Sequence, residues 1–122
     1  MAFGRILIID DDPLVLRTFQ KVLINEGYEV IPASSYESAL ESFSKYEFDL
    51  VLSDIRMPGK NGVETVAEIQ TKLKDAGKAD LPIIFITGYA DYGQEIHARF
   101  HGEILTKPID IQRLLSSVRD YL

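Results

Sequence analysis

Apolar residues fall into five short, nearly continuous runs along the chain, and stretches with helical periodicity separate most of them. Continuous apolar runs are typical of strands that are covered on both faces, as in a parallel sheet. The predicted strands are 5–9, 28–33, 49–53, a run that begins after Pro82 and ends in Thr87, and 103–106. Pro32 cannot donate a backbone hydrogen bond, so the second strand is predicted at an edge of the sheet.

The first helix has recognisable start and stop signals. Asp12 is predicted as its N-cap, Pro13 as its first helical residue and Gly27 as its stop. The spacing of one buried face predicts that these residues point inward: Val15, Phe19, Val22 and Leu23.

Three further helices follow from the same periodicity. Ser34 and Glu37 have the spacing of a capping box, Gly77 is predicted to close the third helix, and Asp110 is predicted to cap the last one. The predicted buried faces are Tyr36, Ala39, Leu40 and Phe43; Val63, Val66, Ile69 and Leu73; and Ile111, Leu114, Leu115, Val118 and Leu122. A short helix is also predicted over 91–100, where the apolar pattern is weak.

Strands that alternate with helices across short loops predict an α/β domain: a doubly wound parallel sheet with helices on both faces. The 122 residues are enough for one hydrophobic core and too few for two domains, so a single domain over 1–122 is predicted.

The amino-acid composition argues against several classes of function and site. The formal net charge of −6 argues against unaided binding to nucleic acid or to an anionic membrane surface. The absence of cysteine excludes disulfides and thiolate metal sites. No signal peptide or membrane-spanning run is recognisable, and a soluble cytoplasmic protein is the expectation.

Side chains that can bind a metal ion or take part in catalysis follow four of the predicted strands. The first strand runs into Asp10-Asp11-Asp12, the third into Asp54, the fourth into Thr87 and the fifth into Lys107. In an open α/β sheet, ligands bind outside the carboxyl ends of the strands, so these side chains can converge on one site.

Carboxylates that meet there would repel one another, by about 4 kcal/mol for a pair about 4 Å apart at an effective dielectric constant near 20. Mg²⁺ suits a site of one or two carboxylates, waters and a phosphate. A carboxylate beside such an ion can be a nucleophile toward phosphorus, with Thr87 and Lys107 pairing the phosphoryl oxygens. Each residue also has an ordinary interpretation: Asp12 as a helix cap, Thr87 as a strand residue and Lys107 as a surface charge.

Four motifs in this order carry a family resemblance: 6–12 (ILIIDDD), 53–62 (SDIRMPGKNG), 85–88 (FITG) and 105–108 (LTKP). Together they resemble the receiver domain of bacterial two-component response regulators, over nearly the whole chain. The resemblance implies a flavodoxin-like (βα)5 fold with a five-stranded sheet in the order 2-1-3-4-5.

The same resemblance implies the chemistry. Asp54 matches the phosphoacceptor, which takes a phosphoryl group from a histidine of a sensor kinase, from a phosphotransfer protein or from a small phosphodonor. The Mg²⁺ ligands would be Asp11, Asp54 and the backbone carbonyl of Arg56, with Asp10 acting largely through water. Such a domain is a signalling switch that catalyses only its own phosphorylation and dephosphorylation.

The resemblance also assigns the switch. Thr87 matches the switch hydroxyl, and Lys107 matches a lysine whose peptide bond to proline is usually cis. Output would run through a further domain, a partner protein or a dimer, which the sequence does not identify. Family members usually carry Tyr or Phe at the position of Ile104, so the usual coupling through a moving ring is in doubt here. We therefore predict an unusual output face.

Two other functions remain open from the sequence. Residues 10–15 (DDDPLV) resemble the nucleophile motif of haloacid-dehalogenase-type phosphatases, with Asp10 as nucleophile and Asp12 as acid, although this reading leaves Asp54 without a role. A binding module that keeps the fold without being phosphorylated is the other alternative. Tyr89 and Tyr92 would shield the site, contact a partner or pack locally, and a metal site at His97 and His101 is disfavoured.

Overall fold

A five-stranded parallel sheet forms the centre of the protein. The structure is a computed structural model that describes residues 4–55, 62–75, 77, 81–88 and 103–122. Its strands are β1 (Arg5–Ile9), β2 (Glu29–Ala33), β3 (Leu50–Asp54), β4 (Ile83–Thr87) and β5 (Glu103–Thr106), and their order is β2-β1-β3-β4-β5. All neighbouring pairs are parallel, so the predicted fold class and strand order are confirmed.

Helices cover both faces of the sheet. The described residues form α1 (Pro13–Asn25), α2 (Tyr36–Lys45), α3 (Gly62–Asp75) and the C-terminal helix (Ile111–Tyr121). Buried residues of α1 and the C-terminal helix pack in one cluster, and those of α2 and α3 pack in a second cluster on the opposite face. Among the described residues, no helix is both long enough and apolar enough to cross a membrane.

Successive residues of the central strands point to opposite faces, which explains their continuous apolar character. In β1, Ile6 and Ile8 belong to the cluster beneath α1, whereas Leu7 and Ile9 belong to the cluster beneath α2 and α3. All four are buried almost completely. Burial of each such side chain contributes about 1.5–3 kcal/mol to the free energy of unfolding. The central strands therefore hold the residues at their ends in fixed positions.

Most of the predicted helix boundaries are confirmed. The Asp12 carboxylate accepts a hydrogen bond from the Leu14 backbone N–H at 2.9 Å, and Pro13 begins α1. The Asp110 carboxylate accepts from the Gln112 N–H at 2.9 Å in the same way. Gly27 (φ 98°) follows the end of α1 and Gly77 (φ 74°) follows α3, in the left-handed region that glycine occupies readily.

The predicted capping box of α2 is wrong by one residue. Ser35, not Ser34, is the N-cap: its hydroxyl accepts from the Ser38 N–H at 3.1 Å, and the Ser38 hydroxyl accepts from the Ser35 N–H at 3.1 Å. A serine hydroxyl can both donate and accept, so Ser38 takes the place that the sequence pattern gave to Glu37, which is exposed in the first turn.

Strand bounds and buried faces differ in detail. β3 begins at Leu50 rather than Asp49, whose carboxylate accepts from the Arg5 N–H at 2.8 Å, and it ends at Asp54. β2 begins at Glu29, because the Tyr28 N–H donates to the Leu23 carbonyl at the end of α1. Leu16, absent from the predicted face of α1, is buried, whereas Leu122 is exposed.

Some predictions lie outside the described residues. They include the short helix over 91–100 and the inward direction of these side chains: Tyr36, Val63, Val66 and Leu73.

Candidate functional site

The carboxyl ends of neighbouring strands bring three carboxylates together. Asp10 follows β1, and Asp54 is the last residue of β3, the strand next to β1. One carboxylate oxygen from each of Asp10, Asp11 and Asp54 lies within 4.8 Å of the others. The predicted convergence of these three residues is therefore observed.

Lys107 lies between two of these carboxylates. Its Nζ is 3.5 Å from Asp54 Oδ1 and 3.7 Å from Asp10 Oδ2. One ammonium cannot neutralise three carboxylates, and each pair of like charges about 4 Å apart costs about 4 kcal/mol at an effective dielectric constant near 20. Among the described residues, the site thus retains an excess of negative charge that favours a cation.

The three acidic residues differ in their exposure to solvent. Asp10 is 2% exposed and Asp54 is 7% exposed, whereas Asp11 is exposed to solvent. Burial raises the pKa of Asp10 from 3.8 to about 6; the Asp12 N–H, which donates to Asp10 Oδ1 at 2.9 Å, opposes this rise in the pKa. The negative charge of Asp54 raises the pKa of Asp10 further, and Lys107 lowers it.

Thr87 occupies the end of the next strand. The side chain is buried, and its hydroxyl donates a hydrogen bond to the Gly88 carbonyl at 3.0 Å. The Lys107 N–H donates to the Thr87 carbonyl at 2.6 Å, which ties the two strand ends together. The Lys107–Pro108 peptide bond is cis, as the resemblance implied.

The donor set fits a hard divalent cation. Its ligand atoms are all carboxylate oxygens, and two of the three residues are held by buried strand ends rather than by loops. Mg²⁺ binds through one or two carboxylates while keeping several waters and a place for a phosphate oxygen. The ammonium of Lys107 adds a positive group suited to a phosphoryl oxygen.

Other predicted residues of the site are not all described. Arg56, whose carbonyl the resemblance assigned to Mg²⁺, lies outside the described residues, as do Tyr89, Tyr92, His97 and His101. Ile104 is half-buried and packs against the cluster on the α3 face, where it pairs with Phe85 across the strands. Its effect on switching stays a prediction.

One residue near the site was not identified from the sequence. Ser53 is completely buried, and its hydroxyl donates to the Asp54 carbonyl at 3.0 Å. The signal that could have identified it is a polar residue at the end of the apolar run 50–52, directly before Asp54.

Comparison with known proteins agrees with this geometry. The sequence profile of the response regulator receiver domain matches residues 6–119. The chain belongs to the response regulator receiver domain family. Receiver domains are phosphorylation-dependent switches of two-component signal transduction, and this chain is therefore a signalling domain rather than a metabolic enzyme.

Individual relatives cover nearly all of this receiver domain. The transcriptional regulatory protein GlrR of Escherichia coli is 33% identical over 98% of this chain, which spans only 26% of GlrR. The polar-differentiation response regulator DivK of Brucella ovis is 29% identical over 96% of this chain and 94% of its own. The chain thus spans about a quarter of one relative and nearly all of the other.

Solved structures share the fold. The response regulator protein TrrA of Thermotoga maritima, solved in complex with Mg²⁺-BeF, has a TM-score of 0.83 and 34% identity, with complete coverage of both chains. A receiver domain protein of Methanospirillum hungatei has a TM-score of 0.84 and 30% identity, covering 98% of this chain and 93% of its own.

Proposed function

We propose that Asp54 is the residue on which this receiver domain accepts a phosphoryl group. The observation that carries the proposal is the position of its carboxylate, at the end of a central strand, beside the carboxylates of Asp10 and Asp11 and 3.5 Å from Lys107 Nζ. Asp10 directly follows the central strand β1, but its carboxylate already accepts a hydrogen bond from the Asp12 N–H at 2.9 Å.

The reaction forms one bond and breaks another. A carboxylate oxygen of Asp54 attacks phosphorus, and the bond from phosphorus to the leaving group breaks, so that the leaving group keeps the electron pair. With acetyl phosphate the leaving group is acetate; with a phosphorylated kinase histidine it is the imidazole. The product is an aspartyl phosphate, a known type of covalent intermediate.

Lys107 and Thr87 would each serve one phosphoryl oxygen. The ammonium of Lys107, already directed at Asp54, pairs with one of them. To reach a second phosphoryl oxygen, the Thr87 hydroxyl must give up its hydrogen bond to the Gly88 carbonyl. Such an exchange would make Thr87 the switch, because the hydroxyl would then have one partner in each state.

The carboxylates of Asp10, Asp11 and Asp54 would hold Mg²⁺, together with the carbonyl of Arg56. The bound ion would offset charge on the phosphoryl oxygens and on the carboxylates. The oxygen-only donor set and its negative charge support this assignment.

The wider setting is also part of the proposal. The phosphodonor would be a sensor histidine kinase or a phosphotransfer protein in the cytoplasm. The output would pass to a further domain, a partner protein or a dimer, and residues 1–122 would act as a single receiver domain within that system. Catalysis would be confined to the domain's own phosphorylation and dephosphorylation.

Removal of divalent cations tests both the proposed function and the metal site. With Mg²⁺ and acetyl phosphate, intact-mass measurements should show the addition of one phosphoryl group. We expect chelation by EDTA to slow this addition by about 10²-fold, because the charge on the phosphoryl oxygens is then no longer offset. Equal rates with and without EDTA would contradict the metal site, and no addition in either condition would contradict the proposed function.

The phosphatase alternative conflicts with the position of Asp12. That alternative needs Asp12 as the acid, but the carboxylate caps α1 through the Leu14 N–H. We expect Asp12→Ala to lower the free energy of unfolding by about 1 kcal/mol, the usual cost of losing an N-cap, and to leave the rate of phosphorylation within about twofold. Urea unfolding and the acetyl phosphate assay measure the two effects.

Two further outcomes would separate the alternatives. Steady turnover of a phosphomonoester that survives Asp54→Asn but not Asp10→Asn would support the phosphatase. A folded protein that binds Mg²⁺ but never gains a phosphoryl group would support the binding module.

A further inference from the structure

Ser53 places a hydroxyl inside an apolar layer of the protein. The side chain is 0% exposed. Its neighbours across the sheet are Ile9 in β1 and Phe85 in β4, and both belong to the hydrophobic cluster on the α3 face. A hydroxyl in such surroundings is costly unless it is hydrogen-bonded, whereas a small apolar residue would carry no such cost. Packing alone therefore gives no reason for serine here.

The hydrogen bond of this hydroxyl is directed at the residue that accepts the phosphoryl group. Ser53 Oγ donates to the backbone carbonyl of Asp54 at 3.0 Å. Asp54 is the last residue of β3, and the N–H of the peptide that links it to Ile55 donates to the Ile86 carbonyl in β4 at 3.1 Å. The Ser53 hydroxyl adds a second restraint, at the carbonyl of the same peptide.

The carbonyl carbon of that peptide is bonded to the Asp54 Cα, so a shift of the peptide also displaces the Cα that carries the carboxylate. The carboxylate has to be near two acidic residues and 3.5 Å from Lys107 Nζ at the same time. Displacements of about 1 Å are enough to slow a reaction that depends on positioning. Ser53 is thus placed to act on the reaction through Asp54 without touching the phosphodonor.

We propose that Ser53 is a positioning residue for phosphoryl transfer, holding the peptide of Asp54 so that its carboxylate is aligned for attack on phosphorus. The proposal rests on the role of Asp54 as the acceptor. The hydroxyl takes no part in the bond that forms between an Asp54 oxygen and phosphorus, nor in the bond that breaks to the leaving group.

The test compares Ser53→Ala with Ser117→Ala. Ser117 is the matched control, because it too is a buried serine with a hydrogen bond, to Glu103 Oε1 at 3.1 Å, but it lies on the C-terminal helix away from the site. We expect Ser53→Ala to lower the maximal rate of phosphorylation by acetyl phosphate with Mg²⁺ by about fivefold, the effect of losing one ordinary hydrogen bond. The acetyl phosphate concentration at half-maximal rate should change little.

Two more variants complete the test. Ser53→Thr retains the hydroxyl and should recover most of the wild-type rate. Ser53→Cys has nearly the same size but a weak donor, and it should remain slow even if the alanine variant folds poorly. Thermal unfolding of each variant separates loss of folding from loss of rate.

The result that would overturn the proposal is a folded Ser53→Ala or Ser53→Cys protein that is phosphorylated at the wild-type rate. An equal loss of rate in Ser117→Ala would overturn it as well, because the effect would then not depend on contact with Asp54. If the wild-type protein gains no phosphoryl group, the proposed function itself fails, which is distinguishable from either result.

Discussion

Asp54→Asn should lose its ability to gain a phosphoryl group. The amide is a poor nucleophile, and the remaining side chains cannot replace a carboxylate at the end of β3 because Asp10 lies after a different strand. We expect the initial rate with acetyl phosphate and Mg²⁺ to fall by at least about 10³-fold, as it does when other enzymatic nucleophiles are removed. Intact-mass measurement over time gives this rate directly.

The matched control is Asp120→Asn, an identical change at an exposed position of the C-terminal helix. It should be phosphorylated at the wild-type rate. An Asp54→Asn protein that is folded and still gains one phosphoryl group at a comparable rate would show that another residue is the acceptor.

Asp10→Asn should stabilise the folded protein at neutral pH. The pKa of Asp10 is raised from 3.8 to about 6 because of burial, so between these pH values the folded protein binds more protons than the unfolded chain. The free energy of unfolding therefore falls as the pH rises through this window, by about 3 kcal/mol for a shift of this size. Above the folded-state pKa, the buried charge of Asp10 remains as a constant cost.

Asparagine removes that cost while keeping an oxygen that can accept from the Asp12 N–H. Without divalent cations, we expect Asp10→Asn to raise the free energy of unfolding by about 2 kcal/mol near pH 7.5 and to change it little near pH 4, where wild-type Asp10 is already neutral. Urea unfolding in EDTA at the two pH values measures the difference.

Mg²⁺ provides the internal control for this prediction. Saturating Mg²⁺ should stabilise the wild-type protein, since an ion that binds only the folded state adds to the free energy of unfolding, and it should stabilise Asp10→Asn less. Without Mg²⁺, the gain in stability of Asp10→Asn over the wild-type protein should depend on pH. A gain that is the same near pH 4 and near pH 7.5 would contradict the buried charge of Asp10 as its cause.

The elements that the sequence predicted well are those with local signals. The structure confirms the caps at Asp12 and Asp110 and the strand over 103–106. An N-cap depends only on residues next to it in sequence, and the bounds of this strand follow likewise from neighbouring residues. The capping box of α2 was misplaced because Ser34 and Ser35 both suit an N-cap. The choice of Ser35 depends on where the chain leaves β2, which is a property of the whole fold.

For the site, strand ends were enough to predict which residues meet but not how each one is held. Asp10 and Asp11 are adjacent in sequence, yet Asp10 is buried, which raises its pKa, whereas the side chain of Asp11 is exposed. Likewise, no pattern showed that Lys107 lies nearly midway between Asp10 and Asp54, or that Ser53 donates to the Asp54 carbonyl. Burial and distance are set by packing of distant segments, so they had to come from the structure.

The central claim is that one carboxylate, that of Asp54, receives the phosphoryl group. Peptide mapping after phosphorylation by acetyl phosphate with Mg²⁺ tests it most directly, with borohydride reduction to convert the acyl phosphate to a stable alcohol. We predict that the reduced residue is Asp54 and that no other aspartate is modified. Reduction at Asp10 instead would contradict the account.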